Sequence, residues 1–523
     1  MSTPGALLAL ARAGFVLARE GVVSALPAEG MPPAALLAQR AARLIERRGA
    51  AGRQRSERLS LALNRLGPSW VKLGQFLATR PDVVGKELAG DLEALQDRMA
   101  PFERAIALQT VEGSLGVAWR TAFSEFGEAV AAASIAQVHK ARRRRDGVEV
   151  AVKVIRPNVR GRFRADLQTF YAAARLLERF APQMRRLRPV AVVDTLDQSA
   201  RLEMDLRLEA AAFSEIGENT ASDPGFRVPR VDWELTGRDC LTMDWVDGVK
   251  LSDTAGIRAA GHDPRLVATT LVQSFLRHTL RDGFFHADMH PGNLFIDAAG
   301  EIVAVDFGIT GRLGRKERRF LAEILFGFIR RDYLRVAEVH FEAGYVPRKH
   351  DVASFAQAIR AIGEPIHGQS AETISMARLL TLLFEVTELF DMETRPELLL
   401  LQKTMVVVEG VARRFDPAFN MWETAEPVVS EYIARHVGPR GAIEDLGRGM
   451  SAGLELVRAL PALAERAQTL ASAIGGMAEH GLSLDAETAE AIARAGARHS
   501  RWRTAALWII ALALLVIAAG LAT

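Results

Sequence analysis

Two hydrophobic periods divide the chain. From Val150 to Ile155 the side chains alternate between two faces, the period of a β-strand. "FGEAVAAASIAQVHKA" before it is also strand-like, and the intervening "RRRRDG", with Asp146-Gly147, predicts the turn of a hairpin. "CLTMDWVDG" reads as a strand running into a turn. A second short hairpin is expected around Ala298-Ala299-Gly300, between "HADMHPGNLFID" and "EIVAVDFG". Elsewhere the period is helical. Residues 1 to about 65 are helical and basic, with a loop at "LPAEGMPPA", and Pro68, Pro81 and Pro101 punctuate helices up to about 120. Helical patterns return from about 160 to 220 and dominate from 260 onward. Residues 345–500 carry no readable motif.

The two ends differ. The first helix is interrupted by Arg12, Arg19 and Glu20, so it is amphipathic and suited to packing on a core or lying on a membrane. Packing is the expected state. Residues 504–523 hold no charge and span about 30 Å as a helix, the thickness of a hydrocarbon core. Arg494, Arg498, Arg501 and Arg503 precede this segment, with Trp502 and Trp508 at the boundary. That flank predicts a single C-terminal transmembrane helix in the cytoplasmic (inner) membrane, with the soluble body facing the cytoplasm.

Composition narrows the class. At 523 residues, 49% hydrophobic and 25% charged, the chain is too long for one core and too apolar for disorder. One cysteine, Cys240, excludes an intrachain disulfide and a cysteine-cluster metal site. A net charge of +3 gives no global field for nucleic acid, and no nucleic-acid partner is expected.

Three pieces then align on the protein-kinase template. In "VAVK", Lys153 would project from the third strand of a small sheet to meet nucleotide phosphates. Alone this is weak, because half-buried strands also end in solvated lysines. In "HADMHPGN", Asp288 and Asn293 keep the spacing of a catalytic carboxylate and a metal-binding asparagine, with His286 in the loop's first place. The same string is rich in turn formers. In "VDFG", Asp306 would bind Mg²⁺ bridging the phosphates. All three in order make the pattern specific. The Gly-rich loop is replaced by "AAASIAQV": Ala131, Ala133 and Ala136 take the glycine places and Val138 matches. Alanine does not reach positive φ cheaply, so altered phosphate geometry is expected. No A-P-E triplet follows Asp306, which leaves little room for an activation loop. His139, His262, His278 and His290 lack metal-ligand spacing. Arg142 to Arg145 read as a solvated hairpin tip, with anionic lipid as the alternative.

These residues resemble the UbiB family of atypical kinase-like proteins, tied to ubiquinone (coenzyme Q) biosynthesis. "KLGQ" (Lys72 to Gln75), "AAASIAQVH", "EMD" (Glu203, Asp205) and "FFHADMHPGNLF" carry the resemblance, over about residues 60 to 340. Met289 stands where proline is more usual. The resemblance implies that Lys72 and Gln75 lie in an N-terminal extension that occludes a peptide site. Lys72 would pair with Glu203 and Asp205 to gate it. It implies nucleotide contacts from the loop (Ala131, Ala132, Ala133, Ser134, Ile135, Ala136, Val138), from Lys153 and its partner Glu209, and from the interlobe segment at Met243 and Val246. Glu203 is the second choice for the Lys153 partner, and one helix is expected to present Glu203, Asp205 and Glu209 to two lysines. The interlobe string is equally compatible with an edge strand and turn.

The expected fold is α+β: a two-lobed kinase-like domain with a helical extension (1–120), an N-lobe (121–250) and a helical C-lobe (251–440). A helical juxtamembrane region (441–503) and the membrane helix (504–523) follow. The expected activity is Mg²⁺-dependent ATP binding and hydrolysis, catalysed through Asp288, Lys153, Asn293 and Asp306, with Asn293 and Asp306 as metal ligands. ATP, membrane lipids, quinone precursors and quinone-biosynthesis proteins are the expected partners. The alternatives are a small-molecule or lipid kinase and a nucleotide-sensing scaffold.

Overall fold

A computed structural model describes residues 3–25, 33–50, 52–78, 80–93, 99–180, 187–367, 386, 389–392 and 396–436. The chain divides into two units, Met1–Gly438 and Pro439–Thr523, and every described residue belongs to the first. Among the described residues no helix is long and apolar enough to cross a membrane. The expected membrane helix at 504–523 and the region 441–503 lie outside them.

The extension is six helices: α1 (Thr3–Arg19), α2 (Pro33–Ile45), α3 (Arg55–Leu66), α4 (Pro68–Ala78), α5 (Pro81–Val84) and α6 (Lys86–Glu93). Pro68 and Pro81 each open a helix, where the missing N–H costs nothing. Leu59, Leu63, Val71, Ala78 and Leu92 form a small core of their own. Helix α1 buries Ala6, Ala13 and Ala18 and packs on α3 and on the later helix Val159–Phe180, so it packs on the body as expected, while Leu8 and Phe15 of its apolar face stay exposed.

Next come α7 (Arg104–Leu115), α8 (Trp119–Ala122) and the strands β1 (Phe123–Ala132), β2 (Ala136–Arg143) and β3 (Glu149–Ile155). The long strand-like run before the Asp146-Gly147 turn is thus two strands folded back at the alanines. A sequence boundary at 120 puts α7 in the extension. Instead its Ala107 and Val111 are fully buried with Phe123, Val150, Val152 and Val154 under the sheet. The alternation of β3 decides this: Val150, Val152 and Val154 face α7, and Ala151, Lys153 and Ile155 face the other way.

That other face meets α9 (Val159–Phe180), α10 (Pro189–Glu203) and α11 (Leu206–Thr220). After β4 (Phe226–Arg227), β5 (Cys240–Asp244) completes an antiparallel sheet in the order β1-β2-β3-β5. A second sheet, β4-β9-β8-β6, collects β6 (Val249–Lys250), β8 (Leu294–Ile296) and β9 (Ile302–Ala304). Residues 226–227 and 249–250, placed in the N-lobe by sequence, therefore join strands from the far side of the expected boundary. β7 (Phe284–His286) pairs with β10 (Thr310–Arg312). The remaining helices are α12 (Thr254–Ala259), α13 (Pro264–Arg277), α14 (Arg315–Arg330), α15 (Tyr333–Glu342), α16 (Val352–His367), α17 (Pro396–Phe415) and α18 (Met421–His436). The hairpin expected around Ala298-Ala299-Gly300 is β8–β9, with Gly300 at φ +84° in the turn.

Candidate functional site

Lys153 sits in β3 between Val138 of β2 and Leu241 of β5, and its side chain is almost wholly buried. Its ammonium donates to Glu209 Oε1 at 2.7 Å and lies 3.5 Å from Asp306 Oδ1. Glu209 stands in the first turn of α11. That turn begins where the Asp205 carboxylate accepts from Arg207 N at 3.2 Å and caps the helix. Glu209, Phe213 and Ile216 follow at helical spacing on the buried face. Phe307 packs edge-on against Phe213 at 4.7 Å between centroids, and its N–H donates to Glu209 Oε1 at 3.3 Å. One carboxylate therefore holds both the lysine and the peptide that carries Asp306.

Asp306 is held in place by its own chain. Gly308 N donates to Asp306 Oδ1 at 2.9 Å. A Cβ on Gly308 would stand only 3.2 Å from that oxygen. Val305 N donates to Asn293 O at 3.0 Å, which ties the catalytic loop to the strand leading into Asp306. Within the loop, Asn293 Nδ2 reaches Asp288 Oδ2 at 3.5 Å, and Asp288 N donates to His286 Nδ1 at 3.2 Å. The His286 ring lies tilted against Phe307, with 4.8 Å between centroids. Asp288, Asn293 and Asp306, apart in sequence, thus share one site with Lys153 and Glu209.

The electrostatics follow from two carboxylates around one ammonium. Burial pushes Lys153 down, but the carboxylates of Asp306 and Glu209 outweigh it and hold the ammonium above its ordinary value. Burial lifts Glu209 to about 7, against the pull of Lys153. Burial also works to raise Asp306, yet Lys153 and the Gly308 N–H bring it below its usual range. Burial depresses His286 below its ordinary value, against the pull of Asp288 and Asp306.

The alanine loop avoids positive φ, as its residue type predicts. Ala133 N donates to Ala136 O at 2.8 Å, closing the β1–β2 turn. Ala131 and Ala132 pair with Val138 and Gln137, and no alanine of the loop has positive φ. The turn needs no left-handed residue, so the Cβ atoms carry no backbone strain. Ser134 is buried and Ile135 half-buried. Met243 is buried in the core and pairs with Ala151, while Val246 is half-buried beyond β5.

The gating residues separate. Lys72 pairs with Glu203 at 2.5 Å, with both side chains largely buried. Gln75 is half-buried one turn along α4. Asp205 does not pair with Lys72: its carboxylate takes Arg207 at 2.7 Å besides capping α11. One continuous helix does not present Glu203, Asp205 and Glu209 either. Helix α10 ends at Glu203, and Asp205 has an extended backbone (φ −118°, ψ 96°), so it breaks the run. The arginine tip is mostly neutralised, with Arg143 on Asp146 and Asp232 and Arg145 on Asp232.

Two features escape the sequence reading. Thr404 of α17, nearly fully buried, donates to Ala287 O at 3.0 Å, next to Asp288. A threonine in an amphipathic helix gives no signal of such a contact. Gln137, His139 and Arg156 gather at the base of the alanine loop. Gln137 and His139 lie inside the quoted loop string, and polar residues at buried strand positions are the clue.

The lobes, the Lys153–Glu209 pair and the Asp288–Asn293–Asp306 arrangement define an atypical kinase-like domain. A kinase-like domain in general takes ATP with Mg²⁺. The residues fit a hard cation: Asp306 keeps a side chain 40% exposed, and Asn293 adds an amide oxygen. Comparison with known proteins agrees. The ABC1 atypical kinase-like domain matches residues 94–340, and the UbiB helical domain matches residues 359–420. A protein of Marinobacter nauticus named "Probable protein kinase UbiB" is 39% identical over 78% of this chain and 76% of its own length. Relatives with that name from Aeromonas hydrophila (38% over 84% and 81%) and Vibrio cholerae (37% over 88% and 85%) also match. The chain belongs to the UbiB family. A solved structure, an erythromycin complex from Mycobacterium tuberculosis, is 26% identical and covers 70% of this chain and 93% of its own, with a TM-score of 0.48.

Proposed function

We propose that this protein is a membrane-anchored, Mg²⁺-dependent ATPase of the kinase-like class that supports ubiquinone biosynthesis by acting on or presenting lipid-soluble quinone precursors. The observation that carries the nucleotide reading is the single ammonium of Lys153 placed at 2.7 Å from Glu209 and 3.5 Å from Asp306. Lys153 would meet phosphate oxygens, while Glu209 fixes its direction. Asp306 and Asn293 would hold the cation, which neutralises phosphate charge when bound. Asp288 would orient the attacking oxygen and accept its proton. The quinone role rests on family membership, and the anchor on the apolar sequence of residues 504–523.

One observation argues against a protein acceptor, although the relatives are named probable protein kinases. Ile309 O already accepts from Ala287 N at 3.0 Å, β10 pairs with β7 from Thr310, and α14 starts at Arg315. The segment after Asp306 returns at once to the catalytic loop and leaves no docking shelf for a peptide.

The test is ADP release by purified protein, with total ubiquinone by mass spectrometry in a deletion strain carrying wild type or Asp306→Asn at matched levels. Loss of both turnover and quinone in Asp306→Asn is expected, with turnover down by about 100-fold or more. Turnover that survives Asp306→Asn overturns the site assignment. A phosphorylated lipid that depends on Asp288 would make the protein a lipid kinase, and quinone synthesis that persists in Asp288→Asn but fails without ATP binding would make it a scaffold.

A further inference from the structure

The alanine loop turns with ordinary dihedrals, and its rigidity comes from the residues beneath it. Gln137 is 1% exposed. Its Oε1 accepts from Phe102 N at 2.8 Å, and its Nε2 donates to Phe102 O at 3.1 Å. The side-chain amide thus pairs with a backbone residue as a neighbouring strand would. The second Nε2 hydrogen meets His139 Nε2 at 2.8 Å. An amide N–H donates, so that imidazole nitrogen accepts, and the Nδ1 proton goes to Gly127 O at 2.9 Å. Burial pushes the His139 imidazole below its ordinary range, which keeps this neutral tautomer.

Arg156, just beyond β3, closes the other side. Its Nε donates to Ala133 O at 2.8 Å and its Nη2 to Ala100 O at 2.9 Å. Its backbone N–H donates to Ile135 O at 2.8 Å, and its guanidinium stands 5.6 Å from the Phe102 ring centroid. Met99 N adds a bond to Ala132 O at 3.3 Å. Residues 99–102, the strap leading into α7, are therefore bonded directly to Ala132 and to Gln137 of the strand behind the loop, and through Arg156 to Ala133.

We infer that Gln137 and Arg156 are positioning residues for the nucleotide: they clamp the alanine loop onto the strap at 99–102 and so fix the backbone N–H groups that face the phosphates. Where a glycine loop closes on its ligand by moving, this loop is set in place by its neighbours, and the ordering entropy is met on folding. The inference rests on the nucleotide reading given above. A purely structural role would lower stability without changing which part of the nucleotide the protein holds.

The experiment measures Mg²⁺-ATP and adenosine binding calorimetrically in the full-length wild type, Gln137→Leu, Arg156→Met and Arg156→Lys, with amide hydrogen exchange at residues 131–136 without ligand. Expected are faster exchange in Gln137→Leu and Arg156→Met, ATP affinity reduced about tenfold, and adenosine affinity within twofold of wild type. Arg156→Lys, which keeps a donor, recovers part of both losses. ATP and adenosine affinities that fall in parallel, or unchanged exchange, overturn the inference. If the wild type binds no ATP, the nucleotide reading fails, and the exchange rates alone decide whether the clamp exists. Should Gln137→Leu not fold, the two Arg156 variants carry the test.

Discussion

At the scale of single residues, the site is a problem of charge balance. Two carboxylates share one ammonium: Glu209 and Lys153 are closed to water, and Asp306 keeps an open side. A buried carboxylate is stable only with a cation or a proton. Glu209, lifted to about 7 by burial, is the member that takes the proton. Its deprotonation as pH rises through about 7 completes the ion pair with Lys153. ATP turnover should therefore rise with pH across that value. Glu209→Gln should flatten this limb and lower kcat/KM by at least about tenfold. A pH–rate profile of ADP release from pH 6 to 8.5 checks it, and an unchanged limb in Glu209→Gln rules Glu209 out as its source. The sequence placed Lys153, Asp288, Asn293 and Asp306 because each belongs to a short string with fixed spacing. It ranked Glu209 ahead of Glu203 as the partner of Lys153, and the contact at 2.7 Å is with Glu209; spacing alone does not say which carboxylate faces which lysine.

Elements act by holding those residues in register. The β7–β10 pair carries His286 and the end of the segment after Asp306. Gly311 is opposite Phe285, and an added Cβ would fall 2.3 Å from that ring. The ring is fully buried between helices and has nowhere to move. Gly311→Ala should destabilise the protein by about 1–3 kcal/mol through overpacking. Urea unfolding measures this, and Phe285→Leu in the same chain should recover part of the loss; a simply additive double variant would disprove the clash. Helical periods, proline starts and the two hairpins were legible because they are local. The break between α10 and α11 was not. Glu203-Met204-Asp205 continues a helical pattern, and only the Asp205 cap, with Arg238 O accepting from Leu206 N, ends it. The result is that Glu203 closes on the extension through Lys72, and Glu209 on β3 through Lys153.

For the molecule as a whole, burial of histidine sets the response to acid. His139, His278, His286 and His340 are all pushed below the ordinary 6.5 by burial, His278 to about 3 and His340 to about 4. Below pH 6.5 the unfolded chain binds protons at these positions and the folded chain does not, so stability falls as pH falls. Glu209 opposes this between its ordinary 4.5 and about 7, where the folded state binds the extra proton. Four histidines lose stability toward acid and one carboxylate gains it, so the net stability should fall between pH 7.5 and 5.5. Urea midpoints across that range test it, and a constant or rising midpoint toward acid would refute it.

The sequence by itself determined the class of the protein and pointed to the four residues that the fold gathers at the candidate site. These depend on short-range spacing and on side-chain alternation, which any chain with this pattern must express. Tertiary structure decided the rest. It moved α7 under the sheet because the valine face of β3 needed cover, and it gave Lys72 to Glu203 and Lys153 to Glu209. It also brought Thr404 to the catalytic loop and used Gln137 to bond a strap thirty-five residues earlier in the chain. Such partners are chosen by which buried polar groups lack a bond once the core closes, and a linear pattern holds no record of that.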